Sequence, residues 1–122
     1  MEDFIIVSEK FKYSKLYREL FQSNKELECV VARYNENTDW FKEEPFNHFD
    51  MICYNKGPKL PDNCFTETCK VINLDNVGRC DHTYLYHIVS NYNQLAPITI
   101  FLPGSTQLQY KKAVATKLIK YI

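Results

Sequence analysis

Short β-rich apolar runs alternate along this chain with stretches whose apolar residues recur at helical spacing. Phe4-Ile5-Ile6-Val7 is long enough for one strand. Ser8 then offers an N-cap, and Tyr13, Leu16, Tyr17, Leu20 and Phe21 share one helical face, predicting a helix that stops near Ser23-Asn24. Leu27-Glu28-Cys29-Val30-Val31-Ala32-Arg33-Tyr34 reads as a buried strand, followed by turn chemistry at Asn35-Glu36-Asn37-Thr38. Thr38 or Asn37 is placed to cap a short helix over residues 39–44, which Pro45 ends. Phe49 to Tyr54 is a second core strand, and residues 55–68, punctuated by Gly57, Pro58 and Pro61, form a long surface loop.

Lys70-Val71-Ile72-Asn73-Leu74 is the third strand of this core, and Asp75 to Cys80 turns the chain into a helix. Asp81 is its expected N-cap, with Leu85, Ile88, Val89 and Tyr92 as the buried stripe and Thr83 and His87 on the opposite face. Pro97 to Leu102 is a fourth strand, stopped by Pro103-Gly104. A last helix starts near Thr106, with Leu108, Ala115, Leu118, Ile119 and Ile122 on one face and Lys117 and Lys120 opposite. The order predicts an α/β protein with a mostly parallel sheet flanked by helices. Residues 1–26 are a strand–helix extension and 27–122 the α/β domain.

In such sheets ligands sit at the carboxyl ends of the strands. That rule puts Tyr34-Asn35-Glu36, Asn55-Lys56-Gly57, Asp75-Asn76-Val77-Gly78-Arg79 and Pro103-Gly104-Ser105 along one rim. Within it, a loop carrying Gly78 and Arg79 feeds a helix N-terminus, a combination suited to an anion. The competing reading has Arg79 bridging to Asp75 or Glu36 and Gly78 merely turning the chain.

Composition changes this picture little. The chain of 122 residues has 15 basic and 15 acidic side chains, so no overall field favours nucleic acid. No apolar run reaches the length of a membrane span. Lys111, Lys112, Lys117 and Lys120 read as the solvated and flanking faces of the last helix. The 5 cysteines are an odd number, and Met1-Glu2-Asp3-Phe4-Ile5 lacks a basic signal-peptide start, so free thiols and a cytoplasmic location are expected. The ending on Tyr121-Ile122, both apolar, looks cut off from something it would pack against.

Several side chains invite chemistry. Cys64, Cys69, Cys80 and His82 lack the tight two-residue gap of paired zinc cysteines, so no metal ligand set is assigned. Cys80 beside Arg79 at a helix start is in surroundings that lower a thiol pKa, but no third orienting group is evident. Cys29 and Cys53 read as buried small hydrophobes and Trp40 as a core anchor. Glu36, Asp39 and Asp75 lie near strand ends, where a base or a divalent metal could be served. The chain contains no Asp-x-Asp pair.

One set of motifs is more specific. Leu27 to Glu36 with Asp39-Trp40, Tyr54-Asn55-Lys56-Gly57, Asn76-Val77-Gly78-Arg79, Tyr84-Leu85, His87-Ile88, Asn91-Tyr92, Leu95, Ile100-Phe101-Leu102 and Gly104 follow one another in order. They resemble an uncharacterised, glycosyltransferase-like family of fungi, other eukaryotes and large DNA viruses. Its pattern runs Asn-x-Gly-Arg-Glu, Tyr-Leu-x-x-Ile, Tyr-Asp-x-Leu, then a strand ending in Phe. The resemblance covers about residues 27–105.

It implies a nucleotide-binding α/β half of the GT-A type and a nucleotide-sugar site built from Tyr34, Asn35, Glu36, Asn76, Gly78, Arg79 and Asp81. Arg79 would face the diphosphate, Asn35 and Glu36 the nucleotide, and Asp75 or Asp81 would orient Arg79 or a divalent metal. A viral setting, and hence the cytoplasm of a host cell, is part of the same expectation. Cys80 stands where the family carries Glu, and Pro103-Gly104-Ser105 replaces a polar His-containing segment. Family members also run beyond Ile122, so the acceptor-binding half is expected to be missing. The alternative is a non-catalytic structural or interaction module that keeps the fold and forms a homo-oligomer through Leu118, Ile119 and Ile122.

Overall fold

The computed structural model describes residues 5–7 in backbone, 27–60 and 68–121. The expected helix over 13–21, together with Phe4, Cys64 and Ile122, lies outside the described residues. Among the described residues five strands form one sheet: β1 (Ile5–Val7), β2 (Leu27–Arg33), β3 (Asp50–Asn55), β4 (Cys69–Asn73) and β5 (Ile98–Pro103). The sheet order is β1-β5-β2-β3-β4. β5, β2, β3 and β4 are mutually parallel, while β1 runs antiparallel along the β5 edge, with Ile5 opposite Phe101. This is an α/β fold, as the alternation of elements predicts, and every expected strand is present with boundaries within one or two residues.

β2 and β5 are buried on both faces, which is why they read as apolar runs without alternation. On one face Cys29, Val31, Met51, Cys53, Ile98, Ile100 and Leu102 meet Trp40, Phe41 and Phe46 from the segment between β2 and β3. The edges of Phe41 and Phe46 approach Trp40 with ring centroids 4.7 and 4.9 Å away. That segment is two 3-10 turns, Asp39–Lys42 and Phe46–His48, instead of one short α-helix. The Thr38 side chain makes no capping bond there, and Asn37 Oδ1 instead accepts from the Asp39 N–H. Cys29, Cys53 and Trp40 are core residues, as expected.

Helix α2 (Gln109–Tyr121) closes the same face through Ala115 and Ile119. Leu118 is half-buried, while Leu108 lies before the helix and is exposed. Lys117 and Lys120 face solvent as the pattern predicts. Because Ile119 packs into the core of its own chain, it is not available for the expected contact between copies.

Helix α1 (Arg79–Ser90) covers the other face, over Val30, Ala32, Ile52, Tyr54 and Phe101. Two expectations about it are corrected. Its cap position is Gly78, so Asp81 lies in the first turn and is not the N-cap. Its inward stripe is Cys80, Thr83, Tyr84, His87 and Ile88, whereas Leu85, Val89 and Tyr92 are 62%, 73% and 74% exposed. Both stripes have helical spacing, and two specific contacts select the buried one. Tyr84 packs on Phe101 at 4.9 Å between rings, and His87 meets the hydroxyl of the buried Tyr54 at 2.7 Å. A buried phenol needs a hydrogen-bond partner, and this outweighs the greater apolar content of the Leu85–Val89–Tyr92 stripe.

Candidate ligand site at the carboxyl end of the sheet

The chain goes from β2 outward to β3 and β4 and then returns to place β5 on the other side of β2. The strand order therefore reverses at β2, the position where open α/β sheets form a crevice. A cavity of about 330 Å³ lies at the carboxyl end of β2, between the loops after β2 and β3 and the start of α1, lined by Ala32, Arg33, Tyr34, Glu36, Lys56, Asn76, Arg79, Cys80 and Thr83. Four of the residues expected in a site, Tyr34, Glu36, Asn76 and Arg79, thus share one cavity. Asn35, Gly78 and Asp81 are not part of its lining; Gly78 shapes the turn and Asp81 is exposed on the first turn of α1.

The walls are held by interlocking loops. After β3, Asn55 Oδ1 accepts from Arg33 Nη1 at 2.9 Å and from the Gly57 N–H at 3.1 Å, while Asn55 Nδ2 donates to the Pro58 carbonyl at 3.0 Å. Arg33 Nε donates to the Glu36 carbonyl at 2.8 Å, and the Lys56 N–H donates to the Arg33 carbonyl at 2.9 Å. The loops after β2 and β3 lie so close that a Cβ on Gly57 would overlap the Tyr34 carbonyl. Across the β2–β5 crevice, a Cβ on Gly104 would strike the Glu36 carboxylate. That carboxylate is anchored through Oε1, which accepts from the Tyr34 N–H at 2.8 Å.

Lys56 and Arg33 are cations that composition and motif reading give no role. Lys56 is buried, and its Nζ donates to the carbonyls of Val77 at 2.6 Å and Arg79 at 2.8 Å and contacts His82 Nδ1 at 3.0 Å. Three N–H donors meet three acceptors, so the ammonium is spent on the turn that precedes α1. This assignment makes Nδ1 of His82 the acceptor and puts its proton on Nε2. Burial holds the Lys56 pKa below the ordinary lysine value of 10.5, opposed by the nearby Cys80 thiol. The usable signal was position: a Lys directly after a buried Asn at the carboxyl end of a central strand faces the neighbouring loop ends.

The turn that Lys56 clamps is unusual. Gly78 and Arg79 both take left-handed backbone angles, φ 68 and φ 54. For Arg79 this costs about 1 kcal/mol, which the Lys56 bonds on either side of the pair offset. The Arg79 guanidinium makes no hydrogen bond or ion pair among the described residues, so the expected alternative of a bridge to Asp75 or Glu36 is not seen. Its cation stands at the mouth of the cavity beside the first turn of α1. No group of three or more His, Cys, Asp or Glu side chains is placed to hold a metal ion among the described residues. No helix among the described residues is long and apolar enough to cross a membrane.

Fold and site together define an α/β protein with a parallel central sheet and a cation-bearing cavity at the carboxyl end of β2. The profile of a family described as a protein of unknown function (DUF3431) matches residues 29–119, and the chain belongs to that family. No curated protein and no solved structure matches it.

Proposed function

We propose that the carboxyl-end cavity binds a nucleotide sugar and that the domain is glycosyltransferase-like, moving the glycosyl group to an acceptor. The observation that carries this reading is Arg79: a cation without a protein partner among the described residues, held in a left-handed backbone at the mouth of a cavity beside a helix start. An anionic diphosphate is the chemistry such a group recognises bidentately. Tyr34, exposed on the rim, offers a face for the base, and Glu36 retains Oε2 for a ribose hydroxyl while Oε1 is anchored. The enclosed volume suits part of such a ligand, the remainder lying over the open rim. A divalent metal is left as a co-ligand of the diphosphate. Thermal-shift titration with a panel of nucleotide sugars, with and without manganese, tests this; stabilisation by at least one supports it, and none by any member overturns it.

A second reading, a non-catalytic interaction module, draws on the exposed Leu85, Val89 and Tyr92 stripe of α1. It predicts self-association that Val89→Lys abolishes, read by light scattering; a monomer at all concentrations contradicts it.

A further inference from the structure

His82 stands in the first turn of α1, half-buried against the turn that carries Arg79. The two are in close contact: a Cβ on Gly78 would overlap that of His82, and the His82 N–H donates to the Gly78 carbonyl at 3.1 Å. The Nδ1 of its ring takes the third N–H of Lys56 at 3.0 Å, while the other two go to the carbonyls of Val77 and Arg79. One ammonium therefore ties the imidazole to both sides of the left-handed pair Gly78–Arg79.

The groups around the ring decide what a proton would do there. Lys56 reaches it from the loop after β3, and the Cys80 thiol lies near the same ammonium. Tyr86, one turn along α1, faces the ring with centroids 6.2 Å apart. Arg79 and Asp81 flank it along the chain, and no carboxylate pairs with His82 among the described residues. In the neutral ring Nδ1 is an acceptor. A proton on Nδ1 makes it a donor, so two cationic N–H groups would face each other at 3.0 Å. That contact must open, and the Lys56 ammonium then keeps two of its three acceptors. Imidazole is the side chain that makes this change between about pH 5 and about pH 8.

We infer that His82 is a proton-operated latch on the turn that presents Arg79. With the ring neutral, the Lys56 bonds join the imidazole, Val77 and Arg79 into one unit, and the turn is locked. With the ring protonated, imidazolium and ammonium repel each other, the unit parts, and Arg79 relaxes from its left-handed angle. Acid thereby unsets the position of a residue that lines the carboxyl-end cavity. The latch needs no ligand, so it stands or falls separately from the nucleotide-sugar reading.

NMR of the full chain, followed from about pH 8 to about pH 5, tests the latch. The amides of Val77, Gly78 and Arg79 should shift with the same midpoint as the His82 ring. Protection of the His82 amide from hydrogen exchange, corrected for intrinsic rates, should fall about threefold to tenfold across that range. In His82→Asn the side-chain oxygen offers Lys56 an acceptor that does not titrate, and the turn should lose its pH response. In Lys56→Met the ring should still titrate while the turn amides no longer follow it. His48→Gln should leave the response in place. Turn amides that stay still while the His82 ring titrates would overturn the inference, as would a response that persists in His82→Asn or a ring that keeps one charge state throughout.

Discussion

The ammonium of Lys56 donates to the carbonyl of Arg79 at 2.8 Å, so one buried cation fixes the backbone that presents another. The division of labour is sharp. Lys56 is fully bonded within the protein, and Arg79, without a hydrogen bond or ion pair among the described residues, lines the cavity. Lys56→Met should leave the Val77 and Arg79 carbonyls and His82 Nδ1 without their donor, lowering stability by about 2 kcal/mol in urea unfolding. Arg79→Ala should change stability by less than about 0.5 kcal/mol in the same measurement.

Two glycines on the rim predict losses of different size. At Gly57 an added Cβ meets the Tyr34 backbone carbonyl, which cannot move without parting the β2 and β3 loops. Gly57→Ala should cost about 3 kcal/mol or prevent folding, read as lost soluble expression or a lowered Tm. At Gly104 the Cβ meets the end of the Glu36 side chain, which can swing away, and stands 3.1 Å from the Ala32 backbone carbonyl, a tight contact but not an overlap. Gly104→Ala should cost about 1 kcal/mol while displacing the carboxylate from the Tyr34 N–H, visible as a shifted Tyr34 amide resonance.

Helix α1 distinguishes its two stripes by mutation. Val89→Lys and Leu85→Glu, on the exposed side, should each alter stability by less than about 0.5 kcal/mol. Tyr84→Ala, which removes a ring packed on Phe101, should cost about 3 kcal/mol. A reversed ranking in thermal unfolding would restore the orientation that periodicity alone favoured.

The strands were legible because β2, β3 and β5 are compact runs of β-branched, aromatic and cysteine residues bounded by turn chemistry. That Tyr34, Glu36, Asn76 and Arg79 share one cavity was legible because the carboxyl ends of parallel strands must converge on one rim. The orientation of α1 was not, since it rests on a phenol–imidazole bond between Tyr54 and His87, 33 residues apart, which no local pattern encodes. The role of Lys56 was hidden for the same reason: its acceptors are backbone carbonyls that any residues at 77 and 79 would supply.

Alkaline pH should weaken the fold. Burial pushes the thiols of Cys29, Cys53 and Cys69 up to about 12, from an ordinary 9.0. The Tyr54 hydroxyl is likewise pushed up to about 12, from 10.0, chiefly by burial. A folded-state pKa above the unfolded one means the unfolded chain gives up the proton first. The associated stability is therefore complete below about pH 9 and is lost as pH rises from there to about 12. Each group contributes at most about 1.4 kcal/mol per pH unit within its window. Unfolding free energy measured from pH 8 to 11 should fall with pH, and Cys53→Ala should make the fall shallower; a flat profile would contradict this.

Arg79 is the proposed anion contact of the carboxyl-end cavity. Isothermal titration of the nucleotide sugar that most stabilises the wild-type protein, repeated on Arg79→Ala, tests it directly. Loss of one charge-assisted contact to a diphosphate should weaken binding by about tenfold to a hundredfold, with the Tm of the unliganded protein unchanged. Equal affinity of the two proteins would contradict the account.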